Sequence, residues 1–235
     1  MLRVSRQSSG EPEVFYSLQG EGANIGGPSV FLRLATCNLA CTWCDTKYTW
    51  DWANFDYNQE VMSLESSQIE EKILGFGYSN LVITGGEPLL QQSELVPLVA
   101  SLKSRGMTFE VETNGTIAPL PELVRDIDQW NVSPKLANSG NPADRREDAS
   151  ALTAFRELPN AYFKFVVNAA GDVEEVCALR DRHNLPNQRI ILMPQGQTPE
   201  ALKLRSGWVS EACVKEGFRF STRLHILLWG DERGR

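Results

Sequence analysis

No uninterrupted run of about 20 apolar residues occurs in this 235-residue chain, so no membrane-spanning helix is expected. Its start, MLRVSRQSSGEPEV, carries no apolar segment of the secretory type. Positive charge is also scarce: 23 Lys and Arg stand against 30 Asp and Glu, a net charge of −7. That balance argues against a nucleic-acid-binding face, which is usually strongly basic. The two histidines, His183 and His225, stand far apart. Internal repeats and low-complexity segments are missing. What remains, 42% apolar and 23% charged, is ordinary for a soluble globular protein. The five cysteines are an odd number. In a chain without a secretion signal they read as metal or redox chemistry in the cytoplasm rather than a disulfide framework.

What the chain does have is CNLACTWCDT, residues 37–46, with Cys37, Cys41 and Cys44 in C-x3-C-x2-C spacing. Short spacers let the chain turn and present successive sulfurs to one small inorganic cluster, and cysteine is the usual ligand of iron–sulfur clusters. Three ligands on a four-iron cluster leave one iron open to a small molecule. A structural zinc site closes with four ligands, and no fourth lies nearby. Cys177 and Cys213 sit singly in expected helices, where a free Cys is usually a small hydrophobe. Zinc stays open as an alternative on ligand count alone.

Strand and helix signals alternate from about residue 28. PSVFLRLA (28–35) sets Val30, Leu32 and Leu34 against Phe31 and Arg33, a strand pattern. SSQIEEKILGFG reads as a helix capped by Ser67 and Glu70 and ended at Gly75 or Gly77. LVIT (81–84), TFEVET (108–113), QWNVS (129–133), YFKFVV (162–167) and RIILM (189–193) read as strands. Ser93 is expected to cap a helix with Leu95, Leu98, Val99 and Leu102 on one face, stopped at Gly106. Further helices are expected at about 172–183 and 199–216, with Pro199 in a first turn, and RLHILLW (223–229) as a last strand. The polar stretch 137–150 is expected to be a loop, with no domain boundary, so residues 1–235 form one domain. Alternating β and α units imply an α/β fold with parallel strands, either a partial (β/α) barrel or a doubly wound sheet. Both place active sites at the carboxyl ends of the strands, where CNLAC, TGGEP, ETNGT and SPK each fall.

C-x3-C-x2-C followed by a strand ending in GGEP resembles the radical S-adenosylmethionine (SAM) superfamily. There SAM chelates the open iron, and reduction of the cluster cleaves it to a 5′-deoxyadenosyl radical. LQGEG (18–22), FLRLATCNLACTWCDTKYTW (31–50), TGGEP (84–88), ETNGT (112–116), SPK (133–135) and HILLWG (225–230) together resemble the 7-carboxy-7-deazaguanine synthase family over nearly the whole chain. The resemblance implies a partial, modified (β/α) barrel of the radical SAM type. It also implies conversion of 6-carboxy-5,6,7,8-tetrahydropterin to 7-carboxy-7-deazaguanine with loss of ammonia, towards queuosine and related 7-deazapurines. SAM used catalytically, Mg2+, a reductant such as a flavodoxin or ferredoxin, and a homodimer come with it.

Residue by residue, the resemblance assigns the cluster to Cys37, Cys41 and Cys44. SAM is assigned to Trp43, Cys44, Asp45, Gly86, Ser133, Pro134 and Lys135, and Mg2+ to Thr46, whose hydroxyl is a hard oxygen ligand. Asp45 or Thr46 read without the family is a helix cap. Gly85 and Gly86 are expected to admit the methionine part of SAM, and Glu112 and Asn114 to line the site. The pterin is assigned to Leu18, Gln19, Gly20, Glu21, Arg33, Thr84 and His225, with the Arg33 guanidinium paired to the carboxylate and Lys47 as the alternative cation. Where some family members end in a proline tail, this chain ends GDERGR. A glycyl-radical activating enzyme shares the cysteine spacing but gives no reason for LQGEG or CDT.

Overall fold

A computed structural model describes residues 1–234. The strands are β1 (Leu2–Ser5), β2 (Val14–Leu18), β3 (Pro28–Leu34), β4 (Val61–Leu64), β5 (Asn80–Gly85), β6 (Thr108–Thr113), β7 (Gln129–Val132), β8 (Ala161–Val167), β9 (Ile190–Pro194) and β10 (Arg219–Phe220). They form one sheet in the order β10-β9-β8-β7-β6-β5-β3-β1-β4, and β2 pairs with β3. From β3 through β10 the neighbours along that path are parallel. The two amino-terminal strands lie antiparallel on β3. The sheet does not close, which makes it the partial barrel expected.

Side-chain alternation builds the site. On β3, Val30, Leu32 and Leu34 join the main core, while Phe31 packs with Phe15 and Val82 on the other face. Trp130 and Val132 of β7, and Phe163, Phe165 and Val167 of β8, face that same main core, where the helices cover the sheet. The inner face takes the alternate residues. These are polar: Arg33, Thr84, Glu112 and Lys164 line a cavity, and Glu110, Gln129 and Asn131 are buried beneath it. Parallel strands covered on both faces usually read as continuous apolar runs. The polar residue at every second place here marks the lumen.

The helix Pro199–Glu216 has the bounds expected, with Pro199 in its first turn and Thr198 capping it. Other boundaries differ. The capping box of the helix Ser66–Gly75 is made by Glu65 and Gln68, not Ser67 and Glu70. Ser93 lies inside the helix Gln92–Ser104, because a 3-10 turn, Pro88–Gln91, leads directly into it. RLHILLW is no strand: Leu224–Trp229 is a helix. Ile226 is its fully buried residue, while Leu227 and Leu228 are exposed, which is not the alternation a strand would show. The stretch 137–150 holds a 3-10 turn, Ala137–Ser139, and helical segments Ala143–Arg146 and Ala149–Glu157 that begin within it. Strands β1, β2 and β4 precede or interrupt the expected series.

Candidate active site

Cys37 lies three residues beyond the end of β3. The turn out of the strand is made by Thr36, whose φ of 76° is unusual for a β-branched residue. The chain then coils so that the Cys44 N–H donates to the Cys41 carbonyl at 3.1 Å. All three sulfurs are free thiols and line one cavity of about 220 Å3 at the carboxyl ends of the parallel strands. Burial disfavours the thiolate, pushing Cys37 up to about 12 and raising Cys41 as well. Ligation therefore needs a strong positive centre and releases protons. Among the described residues no three His, Cys, Asp or Glu side chains converge as a single-ion site does. Thiolates on different irons of one cluster need no such convergence, and three free thiols lining one cavity are a donor set that fits an iron–sulfur cluster. Cys177 and Cys213 lie in distant helices, one beside and one within the main core.

Beside the thiols, Trp43 donates its indole N–H to the Asn138 carbonyl and side-chain oxygen, each at 3.1 Å. Lys135 lies 5.7 Å from the Trp43 ring centre and donates to Ser133 Oγ at 2.9 Å. Pro134 does not join them. It is buried on the side of Gly115 and is absent from the cavity wall, because Ser133 and Lys135 alternate with it. Gly85 and Gly86 line the cavity, and the structure gives them a second reason. A Cβ on Gly86 would lie 1.9 Å from the Thr36 carbonyl oxygen, and one on Gly85 2.1 Å from that of Leu34. These glycines let β5 press against the base of the cysteine loop. Glu87 completes the join: fully buried, it accepts from Thr113 Oγ1 at 2.8 Å and the Asn114 N–H at 2.7 Å. Asn114 in turn donates to Asn38 within the cysteine loop at 2.8 Å.

Thr46 opens a 3-10 turn, Lys47–Thr49, but its hydroxyl makes no capping hydrogen bond; it faces the cavity, 3.6 Å from Cys44 Sγ. Lys47 is not on the cavity wall.

The opposite wall holds the residues assigned to the pterin. Leu18 ends β2 and Gln19, Gly20 and Glu21 follow it, and Leu224 donates its N–H to the Gly20 carbonyl at 2.8 Å. A Cβ on Gly20 would sit 2.1 Å from His225 Nδ1, so only glycine lets this histidine reach the wall. Gln19 donates to Glu112 at 3.3 Å, and Thr84 donates to the same carboxylate at 2.7 Å. Arg33 reaches the cavity with its Nε donating to buried Glu13 at 2.8 Å. Tyr48 also donates to Glu13, at 3.0 Å, and Arg233 lies 3.5 Å from it. The tail thus returns to the back of Arg33, and the Arg233 guanidinium stacks 3.5 Å above the Tyr48 ring.

Two cations were not expected from the sequence. Lys164 pairs with Glu21, and Arg223 bridges Glu21 at 3.0 Å and Asp45. Burial opposes ionisation of Glu21, but Lys164 and Arg223 outweigh it and hold the carboxyl well below its usual range. Asp45 is lowered likewise, burial again being overcome by Arg223. Burial lowers His225, so its ring is neutral at pH 7. Lys164 was signalled by YFKFVV, a single charge at an alternate place in an apolar strand.

Residues 18–130 match a family described as "4Fe-4S single cluster domain". The chain is 42% identical over 226 residues to a protein named 7-carboxy-7-deazaguanine synthase from Pyrobaculum aerophilum, covering 95% of this chain and 96% of the relative. It is similar to the crystal structure of QueE from Escherichia coli, with a TM-score of 0.67, 28% identity and 95% of each chain covered. The fold is shared with Streptococcus suis SuiB, solved bound to S-adenosylmethionine, at a TM-score of 0.54 and 15% identity over 82% of this chain and 50% of that one. With its cysteine triplet, GGEP turn and polar lumen gathered on one cavity, the chain belongs to the 7-carboxy-7-deazaguanine synthase family of radical SAM enzymes.

Proposed function

We propose that this cavity holds a [4Fe–4S] cluster on Cys37, Cys41 and Cys44, SAM beside it and the pterin opposite. The enzyme is a radical SAM lyase that converts 6-carboxy-5,6,7,8-tetrahydropterin to 7-carboxy-7-deazaguanine with loss of ammonia. Bound together, cluster and SAM supply the radical that starts the rearrangement. The observation that carries the reading is that one cavity brings the thiols, Gly86, Ser133 and Lys135 within reach of Gln19, Glu21, Arg33, Thr84 and His225.

The chain's own residues have separable tasks in this proposal. Backbone at Trp43, Cys44, Asp45 and Gly86, with Ser133 and Lys135, seats SAM; Pro134 faces away and holds the turn. Gln19 and Glu112 meet the pterin edge with paired donor and acceptor groups, while Leu18 and Gly20 shape that wall. Neutral His225 offers a ring nitrogen without bringing charge. Arg33 presents its Nη groups to the carboxylate, its Nε being committed to Glu13. Thr46, uncommitted to a cap, is the oxygen ligand for Mg2+, which keeps few protein ligands and fills the rest with water and substrate oxygens. Five free cysteines suit a reducing, cytoplasmic setting, and among the described residues no helix is long and apolar enough to cross a membrane. One continuous sheet supports a single domain, 1–235. A flavodoxin- or ferredoxin-like reductant and a homodimer complete the proposal on family grounds.

Anaerobic metal and sulfide analysis tests the cluster, with roughly four irons and matching sulfide per chain expected and stoichiometric zinc without iron the contrary result. Thr46→Ala tests the Mg2+ site. It should keep iron and SAM cleavage while the Mg2+ concentration for half-maximal turnover rises, and an unchanged Mg2+ dependence would remove Thr46 from the site.

A further inference from the structure

Each of the three thiols receives one N–H group, from a different part of the chain. The Leu39 main-chain N–H points to Cys37 Sγ at 3.5 Å. The Asn141 carboxamide donates to Cys41 Sγ at 3.3 Å, and the Trp50 indole to Cys44 Sγ at 3.3 Å. The first belongs to the loop's own turn, whereas the other two are side chains brought in from outside the triplet. Their orientation is determined. Indole nitrogen can only donate. The Ala40 N–H donates to Asn141 Oδ1 at 2.9 Å, which fixes the amide so that its NH2 end faces the sulfur. Asn141 is buried, and its main-chain carbonyl accepts from Arg146 Nε at 3.2 Å.

We propose that Asn141 and Trp50 set the reduction potential of the cluster held on these thiolates. The proposal rests on the reading of Cys37, Cys41 and Cys44 as cluster ligands. Reduction adds negative charge, which the cluster shares with its sulfurs. Two N–H dipoles with their positive ends on Cys41 and Cys44 stabilise that added charge more than the oxidised state, so they raise the potential. Neither group titrates near neutrality, so the effect is independent of pH there. Both are positioning residues that act through the sulfurs: Asn141 stands behind the cavity wall, and Trp50, which is on the wall, spends its one N–H on Cys44.

The test compares anaerobically reconstituted wild type with Trp50→Phe, Asn141→Leu and the double variant. Phe keeps the ring without the donor. Iron and sulfide content come first, then a redox titration of the cluster followed by electron paramagnetic resonance. Iron should remain at wild-type content. Each lost donor should lower the reduced-to-oxidised ratio at fixed potential by roughly threefold, about 28 mV at 59 mV per tenfold for one electron, and the double variant should fall further. Should Asn141→Leu shed its iron, Trp50→Phe decides alone. Iron-loaded variants with the wild-type midpoint overturn the proposal, whereas wild type that takes up no cluster overturns the ligand reading beneath it.

Discussion

Arg33 carries two jobs at once. Its Nε holds the buried Glu13 carboxylate while the rest of the guanidinium faces the cavity. Arg33→Ala should therefore lose both stability and turnover. Breaking a buried pair costs about 3–5 kcal/mol, here reduced because Tyr48 and Arg233 still face Glu13. The double variant Glu13→Gln/Arg33→Ala separates the two effects: chemical denaturation should show stability largely recovered, while kcat/KM for the pterin stays low. Arg33→Lys should fall between wild type and Arg33→Ala, since it keeps the charge and loses the planar fork. Recovery of turnover along with stability in the double variant would make Arg33 purely structural. Glu21 gives a pH signature. Its folded pKa lies below the ordinary 4.5, so its contribution is fully present above about 4.5 and is lost as pH falls towards the folded value. Unfolding free energy of the cluster-free protein should drop with acid below pH ~4.5, by up to about 1.4 kcal/mol per pH unit from this group alone. Glu21→Gln should flatten that slope; equal slopes for the two proteins would show that Glu21 is not the depressed group.

At the scale of elements, the stretch 137–146 is the support of the cysteine loop rather than a free loop. Ser139 accepts from the Thr42 N–H at 2.9 Å, Arg145 donates to the Asn38 carbonyl at 2.6 Å, and Arg146 donates to the Lys135 carbonyl at 3.2 Å. Asn138 ties the segment to the Val166 carbonyl at 3.0 Å and to Asp172 at 2.8 Å. Asn138→Ala should lower stability by about 1–2 kcal/mol, roughly the net worth of the hydrogen bonds removed, since Asp172 keeps the Asn168 and Ala169 N–H groups, and speed iron release to a chelator under anaerobic conditions. Wild-type release kinetics would assign the segment no role in cluster retention. Sequence reading missed this support because its bonds to the cysteine loop run to partners about 100 residues away, and a polar stretch shows no periodicity to betray them. The strands β3 and β5 to β9 of the parallel run were legible because each alternates or runs apolar over four residues or more, whereas the two exposed residues of β10 show no pattern. The helix Leu224–Trp229 was misread for the opposite reason: a short apolar run has no period of its own, and what makes it helical is the docking of Leu224 and His225 against Gly20. The cysteine triplet, the GGEP turn and the LQGEG loop were legible as local strings. Lys164 and Arg223 were not, since their meaning lies in Glu21, 143 and 202 residues away.

At the scale of the whole molecule, the open sheet brings two chemically different walls to one mouth, thiols on one side and a polar lumen on the other. Single changes of Cys37, Cys41 or Cys44 to Ala should remove iron and turnover together. Cys177→Ala and Cys213→Ala should leave iron content intact, because those sulfurs sit at the core away from the cavity. Iron lost from Cys177→Ala as completely as from the triplet would contradict a three-thiolate cluster. The most direct measurement is anaerobic turnover of 6-carboxy-5,6,7,8-tetrahydropterin with SAM, Mg2+ and a chemical reductant, read by mass spectrometry and ammonia release. One ammonia per 7-carboxy-7-deazaguanine formed, with many product molecules for each SAM consumed, is the predicted result. An iron-loaded enzyme that cleaves SAM but returns the pterin unchanged, with no ammonia, would contradict it.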